Sequence, residues 1–448
     1  MLNITIEKLS KFTNGTMNQK ALEIKDTHVK GVSIDTRTLE ENNLFIPFVG
    51  ENVDGHKFIA DALESGASIA LSEQERDDVP VILVDNTERA LGLLAKNYLK
   101  TFNPKVIAVT GSNGKTTTKD MIECVLQDKY RVEKTQGNLN NELGMPLTIL
   151  TTDIETEILI LEMGMDSVGD IHYLSDIANP DIAVITSVGE SHLEKLGSRE
   201  KIAEVKYEIV DFLKDDGLFI YSKDYEMLEN IVDKDTTYTI KTVGENEKNG
   251  VHIKNILERL EGTEFTLDTA NFKIPQLGRH NALNASYAIM IARELGVTDE
   301  ASEAALLKLK VTGMRMEQKE LANGAILIND AYNASPSSMK SAIDTVRDLQ
   351  YQNKILVLGD ILELGAYSDV LHYDIATHIN QDNNFSHIFT FGEAAKNISD
   401  NIKKANSEHF TDIDALIERV NEVIGNRAVV LLKASRGMKL ERVEEGIK

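Results

Sequence analysis

The stretch that decides the fold of this chain reads Val106-Ile-Ala-Val-Thr110-Gly111-Ser-Asn-Gly114-Lys115-Thr116-Thr117-Thr118. Residues 105–109 form a short β-branched run, which is typical of a buried strand. After the glycines, four apolar residues recur at helical spacing, namely Met121, Ile122, Val125 and Leu126. A strand, a glycine turn and a helix in this order predict a phosphate-binding loop, because free backbone N–H groups and the positive end of the helix dipole face the anion.

Each part of this loop has a role in holding ATP. Gly111 and Gly114 allow backbone conformations and a close approach that a Cβ would hinder. Lys115 can reach the β- and γ-phosphates, and the Thr116 hydroxyl can ligate Mg²⁺. The nucleotide contacts predicted within the loop are Gly111, Ser112, Asn113, Gly114, Lys115, Thr116 and Thr117.

The match to the standard pattern G-x-x-x-x-G-K-[ST] is imperfect. Val109 stands where the first glycine would be. The alternative interpretation is a glycine turn that ends a strand and carries a solvated lysine. We favour the ATP site, because the strand, the glycines, the Lys-Thr pair and the helix all agree with it.

Length and composition limit the classes of protein to consider. At 448 residues the chain is too long for one ordinary core, and usual domain sizes suggest about three domains. The formal charge of −24 argues against general nucleic-acid binding, which relies on a basic surface. A single cysteine, Cys124, excludes an intrachain disulfide framework. No apolar run is long enough to cross a membrane, and the first residues lack a signal-sequence pattern, so a cytoplasmic location is expected.

The order of the predicted elements indicates an α/β fold with three domains. Residues 1–104 alternate short strands and helices, and Phe102-Asn-Pro104 breaks this pattern just before the phosphate-binding strand. Residues 105–312 are expected to form a central P-loop NTPase-like domain around a parallel sheet. The second boundary is predicted near Thr312-Gly313. Residues 313–448 have a Rossmann-like rhythm of strands and helices without a G-x-G-x-x-G motif.

The predicted elements are as follows. In the first domain, strands are expected at 31–35, 43–48, 67–71 and 80–84, with helices at 58–65 and 87–99. In the central domain, strands at 157–162, 181–186 and 217–221 precede an antiparallel flap or sheet extension over 236–273 and a helix from 278 to 294. In the last domain, strands are expected at 325–329, 354–358, 387–391 and 428–432.

Three residues of the central domain are candidates for metal chemistry. Glu162 ends a buried strand, and a carboxylate there commonly takes Mg²⁺, although a solvated strand end is the alternative. His192 follows the next strand and could be a second ligand or an ordinary surface histidine. Lys206 lies on an apolar helical stripe, where burial favours the neutral amine. A neutral amine can react with CO₂ to form a carbamate that binds a cation, whereas the alternative is a lysine that snorkels to solvent.

Other polar segments are candidates for ligand binding. Ser33, Asp35 and Arg37 follow one another closely and could hold a polar ligand or simply close an Asx turn. Residues 329–339 end a strand, crowd many hydrogen-bonding groups into one turn and enter a helix at Ser335-Pro336. Arg315, just past the second boundary, could reach a phosphate from another domain.

Taken together, these motifs resemble the Mur ligase family over essentially the whole chain. The resemblance is carried in order by the phosphate loop, Gly137-Asn-Leu-Asn-Asn141-Glu-Leu-Gly144-Met-Pro146, Glu162-Met-Gly, His192-Leu-Glu, Lys206, His280-Asn281-Ala-Leu-Asn284 and Arg315. The segment Asn329-Asp330-Ala-Tyr332-Asn333-Ala-Ser335-Pro336 resembles the signature of the family member that adds a dipeptide, which usually has Asn-Pro where this chain has Ser-Pro.

The resemblance implies an ATP-dependent amide ligase. Its implied substrates are UDP-N-acetylmuramoyl-tripeptide, bound by the N-terminal domain, and D-Ala-D-Ala, and its products are the pentapeptide, ADP and phosphate. Lys115, His192 and Lys206 are the implied catalytic residues. A carboxylate that attacks the γ-phosphate brings anion to anion, so Lys115 and Mg²⁺ must neutralise the developing charge.

The resemblance also assigns individual binding roles. Thr116 and Glu162 are implied as ligands of one Mg²⁺, and His192 with a carbamylated Lys206 as ligands of a second. The implied nucleotide contacts outside the loop are Asn281, Arg315 and Asp330. The implied substrate contacts are Ser33, Asp35, Arg37, Asn138, Asn333 and Ser335.

Two alternatives remain open at this stage. Another amide ligase of the same fold, such as a folylpolyglutamate synthase or a different Mur ligase, would share the ATP chemistry. A catalytically silent nucleotide-binding scaffold would keep only the fold, but Lys115, Glu162, His192 and Lys206 are all present together. The chain is expected to be a monomer.

Overall fold

The computed structural model of the protein describes residues 1–50, 53–310, 312–382 and 384–447. Residues 51, 52, 311, 383 and 448, which the predicted domains include, lie outside the described residues. The architecture is α/β, as predicted, with three successive α/β units. The boundaries at 104/105 and 312/313 remain a prediction.

The N-terminal unit has a five-stranded sheet and a separate two-stranded one. Its strands are β1 (Asn3–Thr5), β2 (Thr16–Met17), β3 (His28–Lys30), β4 (Val32–Ser33), β5 (Leu44–Phe45), β6 (Ile69–Ser72) and β7 (Val81–Leu83). Its helices are α1 (Ile6–Thr13), α2 (Gln19–Glu23), α3 (Ile59–Glu64) and α4 (Thr87–Phe102), with a 3-10 turn at Gly55–Phe58. The larger sheet has the order β2-β7-β6-β5-β4, in which only β2 is antiparallel to its neighbour.

The central unit is built on a nine-stranded sheet. Its strands are β8 (Lys105–Thr110), β9 (Val132–Lys134), β10 (Ile158–Glu162), β11 (Ile182–Ile185), β12 (Leu218–Tyr221), β13 (Thr239–Gly244), β14 (Val251–Arg259), β15 (Gly262–Leu267) and β16 (Ala270–Ile274). Its helices are α5 (Lys115–Leu126), α6 (Gly144–Thr151), α7 (Asp170–Ala178), α8 (Leu193–Leu196), α9 (Arg199–Tyr207), α10 (Glu226–Ile231), α11 (Arg279–Glu294) and α12 (Asp299–Leu306), with a 3-10 turn at Glu208–Val210. The strand order is β16-β15-β14-β13-β12-β11-β8-β10-β9.

The C-terminal unit has a six-stranded sheet with the order β17-β18-β22-β19-β20-β21. The strands are β17 (Glu317–Glu320), β18 (Ile326–Asn329), β19 (Asn353–Gly359), β20 (His387–Phe391), β21 (Asn406–Phe410) and β22 (Ala428–Lys433). The helices are α13 (Pro336–Asp348), α14 (Ser368–Ile379), α15 (Lys396–Ser399), α16 (Ile413–Val423) and α17 (Glu441–Gly446), with 3-10 turns at Gly365–Tyr367 and Arg436–Met438. Only β17, at the edge, is antiparallel to its neighbour.

Three expectations about the elements need correction. The strand expected at 31–35 is only β4, two residues long. The strand expected at 43–48 is only β5, also two residues long, and Pro47 just beyond it has no N–H to give to a sheet ladder. The segment 236–273 is a sheet extension, but β13 pairs in parallel with both β12 and β14. Only β14, β15 and β16 are antiparallel, because they are joined by short turns.

The hydrophobic core does not stop at the first predicted boundary. One cluster of buried residues runs from Leu2 in the N-terminal unit to Val232 in the central unit, and it includes the apolar face of α4. The backbone N–H of Leu2 also donates to the carbonyl of Leu150 at 2.8 Å. The N-terminal unit is therefore packed firmly against the central one. Within the described residues, no helix has both the length and the apolar character needed to cross a membrane.

Candidate active site at the phosphate loop

A cavity of about 1300 Å³ lies where the three units meet. Its floor is the phosphate loop after β8, at the carboxyl end of the central strands. Glu88 and Arg89 of α4 contribute one wall, and residues just before β17 and just after β18 contribute another. A ligand in this cavity can therefore contact all three units at once, as expected for binding at the strand ends of an open α/β sheet.

The phosphate loop has the conformation that its glycines predict. Gly111 and Gly114 have φ of 153° and 82°, which side chains rarely adopt. A Cβ on Gly111 would overlap Oγ1 of Thr186, so the close approach also requires glycine. The Asn113 N–H donates to Oγ of Ser187 at 2.8 Å, which fixes the loop to the end of β11. The loop then leads directly into α5, whose free N–H groups face the cavity.

Lys115 is folded back onto its own loop. Its Nζ donates to the carbonyl of Gly111 at 2.8 Å, and the side chain lines the cavity. Burial lowers the pKa of this amine, while the nearby Glu162 carboxylate opposes the shift. The lysine is thus already in the position where an incoming phosphate would take the place of the carbonyl as its partner.

Glu162 is a buried carboxylate held at both oxygens. Thr116 Oγ1 donates to Oε2 at 3.0 Å, and Asn140 Nδ2 donates to Oε1 at 2.9 Å. Nζ of Lys119 lies 3.4 Å from Oε2. Glu162 is only 2% exposed, yet it lines the cavity beside the phosphate loop. Thr116 and Glu162, which are predicted to ligate one Mg²⁺, therefore lie together in the structure, and their role as metal ligands remains a prediction.

His192 lies at the cavity with one ring nitrogen unpaired. Nδ1 is buried and has no hydrogen-bond partner, with the nearest oxygens those of Asp166 at 3.4 Å and Glu363 at 3.3 Å. Burial, together with the charges of Lys115 and Lys206, lowers the pKa of His192 to about 4. The imidazole is therefore neutral at physiological pH, which is the form that ligates metals.

Lys206 is buried on α9 with 2% of its surface exposed. The polar contact of its Nζ is with Sδ of Met165, at 3.7 Å, and Met165 lines the cavity. Burial and the charge of Lys115 lower the pKa of this amine well below its usual value. Lys206 therefore does not extend to solvent, which was the alternative interpretation of its position. Burial thus favours the neutral form of this amine, which is the form that carbamate formation requires.

Arg315 crosses from the C-terminal unit to the phosphate loop. Nη2 donates to Oγ1 of Thr116 at 3.0 Å, and the guanidinium lies 4.1 Å from the centroid of the Tyr332 ring. Its Nε is buried without a hydrogen-bond partner. Arg315 is thus held over the loop with a free donor, as expected of a group that binds phosphate from another domain.

Asp330 also lines the cavity, and its carboxylate is already engaged. Nζ of Lys433 lies 2.6 Å from Oδ2, and the Met316 N–H donates to Oδ1 at 3.1 Å. Asp330 therefore fixes the segment that carries Arg315. The same lysine donates to the carbonyl of Asn333 at 2.8 Å.

Ser335 is the N-cap of α13 and contacts the phosphate loop. Its Oγ accepts from Nδ2 of Asn113 at 3.1 Å, and a capping box with Ser338 closes the first turn. The neighbouring Ser337 N–H donates to Oε2 of Glu190 at 3.2 Å. Ser335 is 2% exposed, whereas Asn333 is exposed and lines the cavity.

Two asparagines at the start of α11 complete the wall beside the loop. Asn281 Nδ2 donates to the carbonyl of Leu277 at 2.6 Å, and Asn284 Nδ2 donates to Oδ1 of Asn281 at 2.9 Å. Both line the cavity, as does Asn138 on the opposite side. The remaining predicted loop contacts, Ser112 and Thr117, are buried at the cavity wall.

Ser33, Asp35 and Arg37 lie apart from the cavity lining, to which their segment contributes Ile34. The Arg37 N–H donates to Oδ1 of Asp35 at 2.9 Å, and the guanidinium pairs with the same carboxylate at 2.6 Å. This pairing lowers the pKa of Asp35 to about 2. The Asx turn, which was one of the two interpretations of this segment, is therefore present. A substrate role for these residues remains a prediction.

Three site residues were missed from the sequence. Lys119 shares a helical face with Ile122 and Leu126, so its burial had the same signal as that of Lys206. Lys433 ends a buried strand, where polar groups of a parallel sheet collect. Asn140 lies in the asparagine-rich turn, but nothing in the sequence shows that it faces Glu162.

The residues at this site can bind a polyanion together with a cation. Lys115 and Lys119 lie near the Glu162 carboxylate, and Arg315 donates to Thr116, so three basic side chains gather beside the phosphate loop of a chain with net charge −24. In the described part of the chain, no group of three His, Cys, Asp or Glu side chains forms a metal site on its own. The oxygens of Thr116 and Glu162 and the unpaired His192 nitrogen nevertheless fit Mg²⁺ that enters with phosphates.

Comparison with known protein families gives matches over most of the chain. The Mur ligase family, catalytic domain, matches residues 28–99, the Mur ligase middle domain matches residues 109–292, and the Mur ligase, glutamate ligase domain, matches residues 314–436. The UDP-N-acetylmuramoyl-tripeptide–D-alanyl-D-alanine ligase of Bacillus subtilis (strain 168) is 44% identical, with 99% of this chain and 98% of that protein covered.

Solved structures of similar proteins have the same architecture. MurF from Acinetobacter baumannii superposes with a TM-score of 0.89 at 28% identity, covering 99% of this chain and 98% of that one. The MurF ligase from Thermotoga maritima, solved in complex with ADP, has a TM-score of 0.86 at 30% identity, covering 93% of this chain and 97% of that one.

Proposed function

This chain belongs to the Mur ligase family, and we propose that it joins D-Ala-D-Ala to UDP-N-acetylmuramoyl-tripeptide with the hydrolysis of ATP. The products are UDP-N-acetylmuramoyl-pentapeptide, ADP and phosphate, so the enzyme acts in the synthesis of peptidoglycan precursors. The observation that carries this proposal is the cavity in which the phosphate loop, Glu162 and Arg315 meet. The identity of 44% along the whole chain specifies the substrates.

The first step is the transfer of the γ-phosphoryl group of ATP to the terminal carboxylate of the tripeptide. Lys115 and Arg315 are placed to neutralise charge on the phosphates, since both anions must approach closely. The wall residues Asn281 and Asp330 shape the nucleotide side of the cavity. The bond from the γ-phosphorus to the bridging oxygen breaks, ADP leaves, and an acyl phosphate forms.

In the second step, the amine of D-Ala-D-Ala attacks the acyl carbon, phosphate leaves, and a proton is released from the nitrogen. Asn333 and Ser335 after β18 are the proposed contacts of the dipeptide, and Asn138 is the proposed contact of the tripeptide substrate. Asn138 and Asn333 line the cavity, whereas Ser335 is buried and absent from the lining. The UDP portion is assigned to the N-terminal unit, with Ser33, Asp35 and Arg37 as the proposed contacts. The acyl phosphate must be shielded from water until the amine arrives, which a cavity between three units favours.

Mg²⁺ is the proposed metal. Thr116 and Glu162 would hold one ion, and His192 with a carbamylated Lys206 would hold another. When bound, Mg²⁺ neutralises charge on the β- and γ-phosphates. The buried amine of Lys206, whose polar contact is a thioether, supports the carbamate, because a neutral amine reacts with CO₂.

We further propose that the protein is a cytoplasmic monomer and that its domains span residues 1–104, 105–312 and 313–448. The soluble substrates of the reaction support this location. The three larger sheets, of five, nine and six strands, support this division, because each predicted domain contains one of them.

A phosphate-release assay tests the proposed function. The native chain is supplied with ATP, UDP-N-acetylmuramoyl-tripeptide and D-Ala-D-Ala, and each is omitted in turn. We expect phosphate release only with all three, and the pentapeptide mass in the product. Release that does not depend on D-Ala-D-Ala would favour another amide ligase of this fold. Tight ATP binding without turnover under every substrate set would favour a nucleotide-binding scaffold.

A further inference from the structure

Lys119 is a fully buried lysine close to the proposed reaction centre. It lies on α5, three residues after Thr116, and is 1% exposed. Its Nζ donates to the carbonyl of Thr135 at 2.7 Å and lies 3.4 Å from Oε2 of Glu162. Burying a lysine is costly unless its charge is paired, so the Glu162 carboxylate is the group that allows this ammonium inside.

The contacts of Glu162 show what Lys119 adds. Thr116 and Lys119 both face Oε2, and Asn140 donates to Oε1. The Glu162 N–H also donates to Oγ1 of Thr135 at 3.0 Å. Both ends of the carboxylate are therefore fixed, and Thr135 ties the end of β10 to the same lysine. A metal ligand held in this way binds better, because less freedom is lost when the ion arrives.

Lys119 cannot act on the nucleotide itself. It is absent from the cavity lining, whereas Lys115, one turn earlier on the same helix, is part of it. The contacts that link Lys119 to the cavity are its pair with Glu162 and its hydrogen bond to Thr135, which itself accepts from the Glu162 N–H.

We propose that Lys119 is a positioning residue, which holds the Glu162 carboxylate in place for the Mg²⁺ that accompanies the nucleotide. This inference rests on the proposed role of Glu162 as a metal ligand. Thr116 and Glu162 line the cavity, whereas Lys119 contacts Oε2 from outside the cavity lining.

A matched control is an ion pair that a neighbouring strand makes with the same helix. Lys134 ends β9, and its Nζ lies 2.6 Å from Oδ1 of Asp120, which is buried, and 2.6 Å from Oε2 of Glu123, both on α5. Lys134→Met thus removes a partly buried ion pair with α5, and Lys134 makes no contact with Glu162 through this pair. Lys119→Met removes the charge at Glu162, and Lys119→Gln does the same while keeping an N–H donor for the Thr135 carbonyl.

The test measures ADP binding by calorimetry with and without MgCl₂. In the native chain we expect Mg²⁺ to tighten ADP binding, because the two ligands share the site. In Lys119→Met and Lys119→Gln we expect this gain to fall about tenfold or more, as for other residues that orient metal ligands. The affinity for ADP without metal should stay unchanged. Lys134→Met should keep the native gain.

The rate of phosphate release gives a second readout. We expect both Lys119 variants to need more Mg²⁺ for half-maximal rate, with an unchanged KM for D-Ala-D-Ala, and excess Mg²⁺ to restore much of the rate. A purely structural role would not respond to Mg²⁺.

Several results would overturn the inference. The first is that Mg²⁺ increases the affinity for ADP in both Lys119 variants as much as in the native chain. The second is that Lys134→Met loses as much of this increase as the Lys119 variants do. The third is that both Lys119 variants fail to fold while Lys134→Met folds. If the native chain released no phosphate with D-Ala-D-Ala, the proposed function would fail instead, and the ADP titrations would still decide the role of Lys119.

Discussion

His192 and Glu363 face each other between the central and C-terminal units, with Nδ1 and Oε2 3.3 Å apart. Both residues have positive φ, 64° and 62°, which non-glycine residues adopt only when their surroundings hold them there. The Glu194 N–H donates to the carbonyl of Glu363 at 3.3 Å, so the backbones of the two segments are also joined. The proposed metal-binding histidine is therefore positioned in part by the other unit.

Replacing Glu363 by alanine should weaken this contact between units. We expect kcat for ligation to fall about tenfold, because small displacements of a catalytic group are costly. The melting temperature should change little, since the side chain is mostly exposed. The control is Glu408→Ala, which removes the pair with Arg419 in the same unit and lines no part of the cavity. An equal loss of kcat in both variants would contradict the prediction.

Arg315→Ala should affect the nucleotide more than the dipeptide. The variant loses the donor to Thr116 and the free Nε over the phosphate loop. We expect kcat/KM for ATP to fall about 100-fold, which is typical when one donor to a developing charge is removed. Steady-state kinetics with each substrate varied in turn provides the measurement. Arg436→Ala, which removes the exposed pair with Glu441, should remain close to native.

Lys206→Ala should nearly abolish activity, with a loss of about 100-fold or more, as expected when a metal ligand is removed. Added short-chain carboxylic acids should partly restore the rate, because their carboxylate can occupy the position of the carbamate. Lys201→Ala is the control, since this exposed lysine of α9 pairs with Glu204. Full activity of Lys206→Ala without additives would exclude the carbamate.

The pH dependence of stability should report the burial of His192. Its pKa is lowered from 6.5 to about 4 in the folded chain, so the unfolded chain binds more protons between these values. Lowering the pH from 6.5 to 4 therefore favours the unfolded chain, and above pH 6.5 His192 no longer makes the free energy of unfolding depend on pH. In urea titrations at several pH values, we expect His192→Gln to lose less stability than the native chain as the pH falls from 6.5 to 4. Parallel curves for the two proteins would refute this assignment.

Ser335→Ala should combine a loss of stability with a loss of rate. Removing an N-cap costs about 1 kcal/mol, and here it also removes the contact with Asn113 of the phosphate loop. Thr298→Ala removes the N-cap of α12, which does not line the cavity, and should cost a similar free energy of unfolding with the native rate. Equal rates in both variants would show that the Asn113 contact is not used.

The parts of the site that depend on neighbouring residues were predictable from the sequence. The phosphate loop and the start of α13 follow from glycines, a capping serine and helical spacing within a few residues. The burial of Lys206 follows from the same spacing. The strands of the N-terminal unit were placed less accurately, because short strands such as β4 and β5 leave little periodicity to detect.

The contacts between distant segments could not be predicted in this way. Arg315 reaches Thr116 across 199 residues of chain, and Glu162 collects its partners from α5 and from the asparagine-rich turn. Such contacts depend on how the units pack against each other. The residues that surround each partner in the sequence do not indicate this packing. The family resemblance supplied several of these residues, but it did not include Lys119 or Glu363.

The phosphate loop is held by the C-terminal unit at two points, from Arg315 to Thr116 and from Ser335 to Asn113. A nucleotide bound on the loop is thus enclosed by contacts that belong to different units. We expect these hydrogen bonds to break before ADP is released, because they join the loop to a different unit. If this opening limits turnover, the rate should fall as solvent viscosity rises, whereas a rate limited by the chemical steps should not respond.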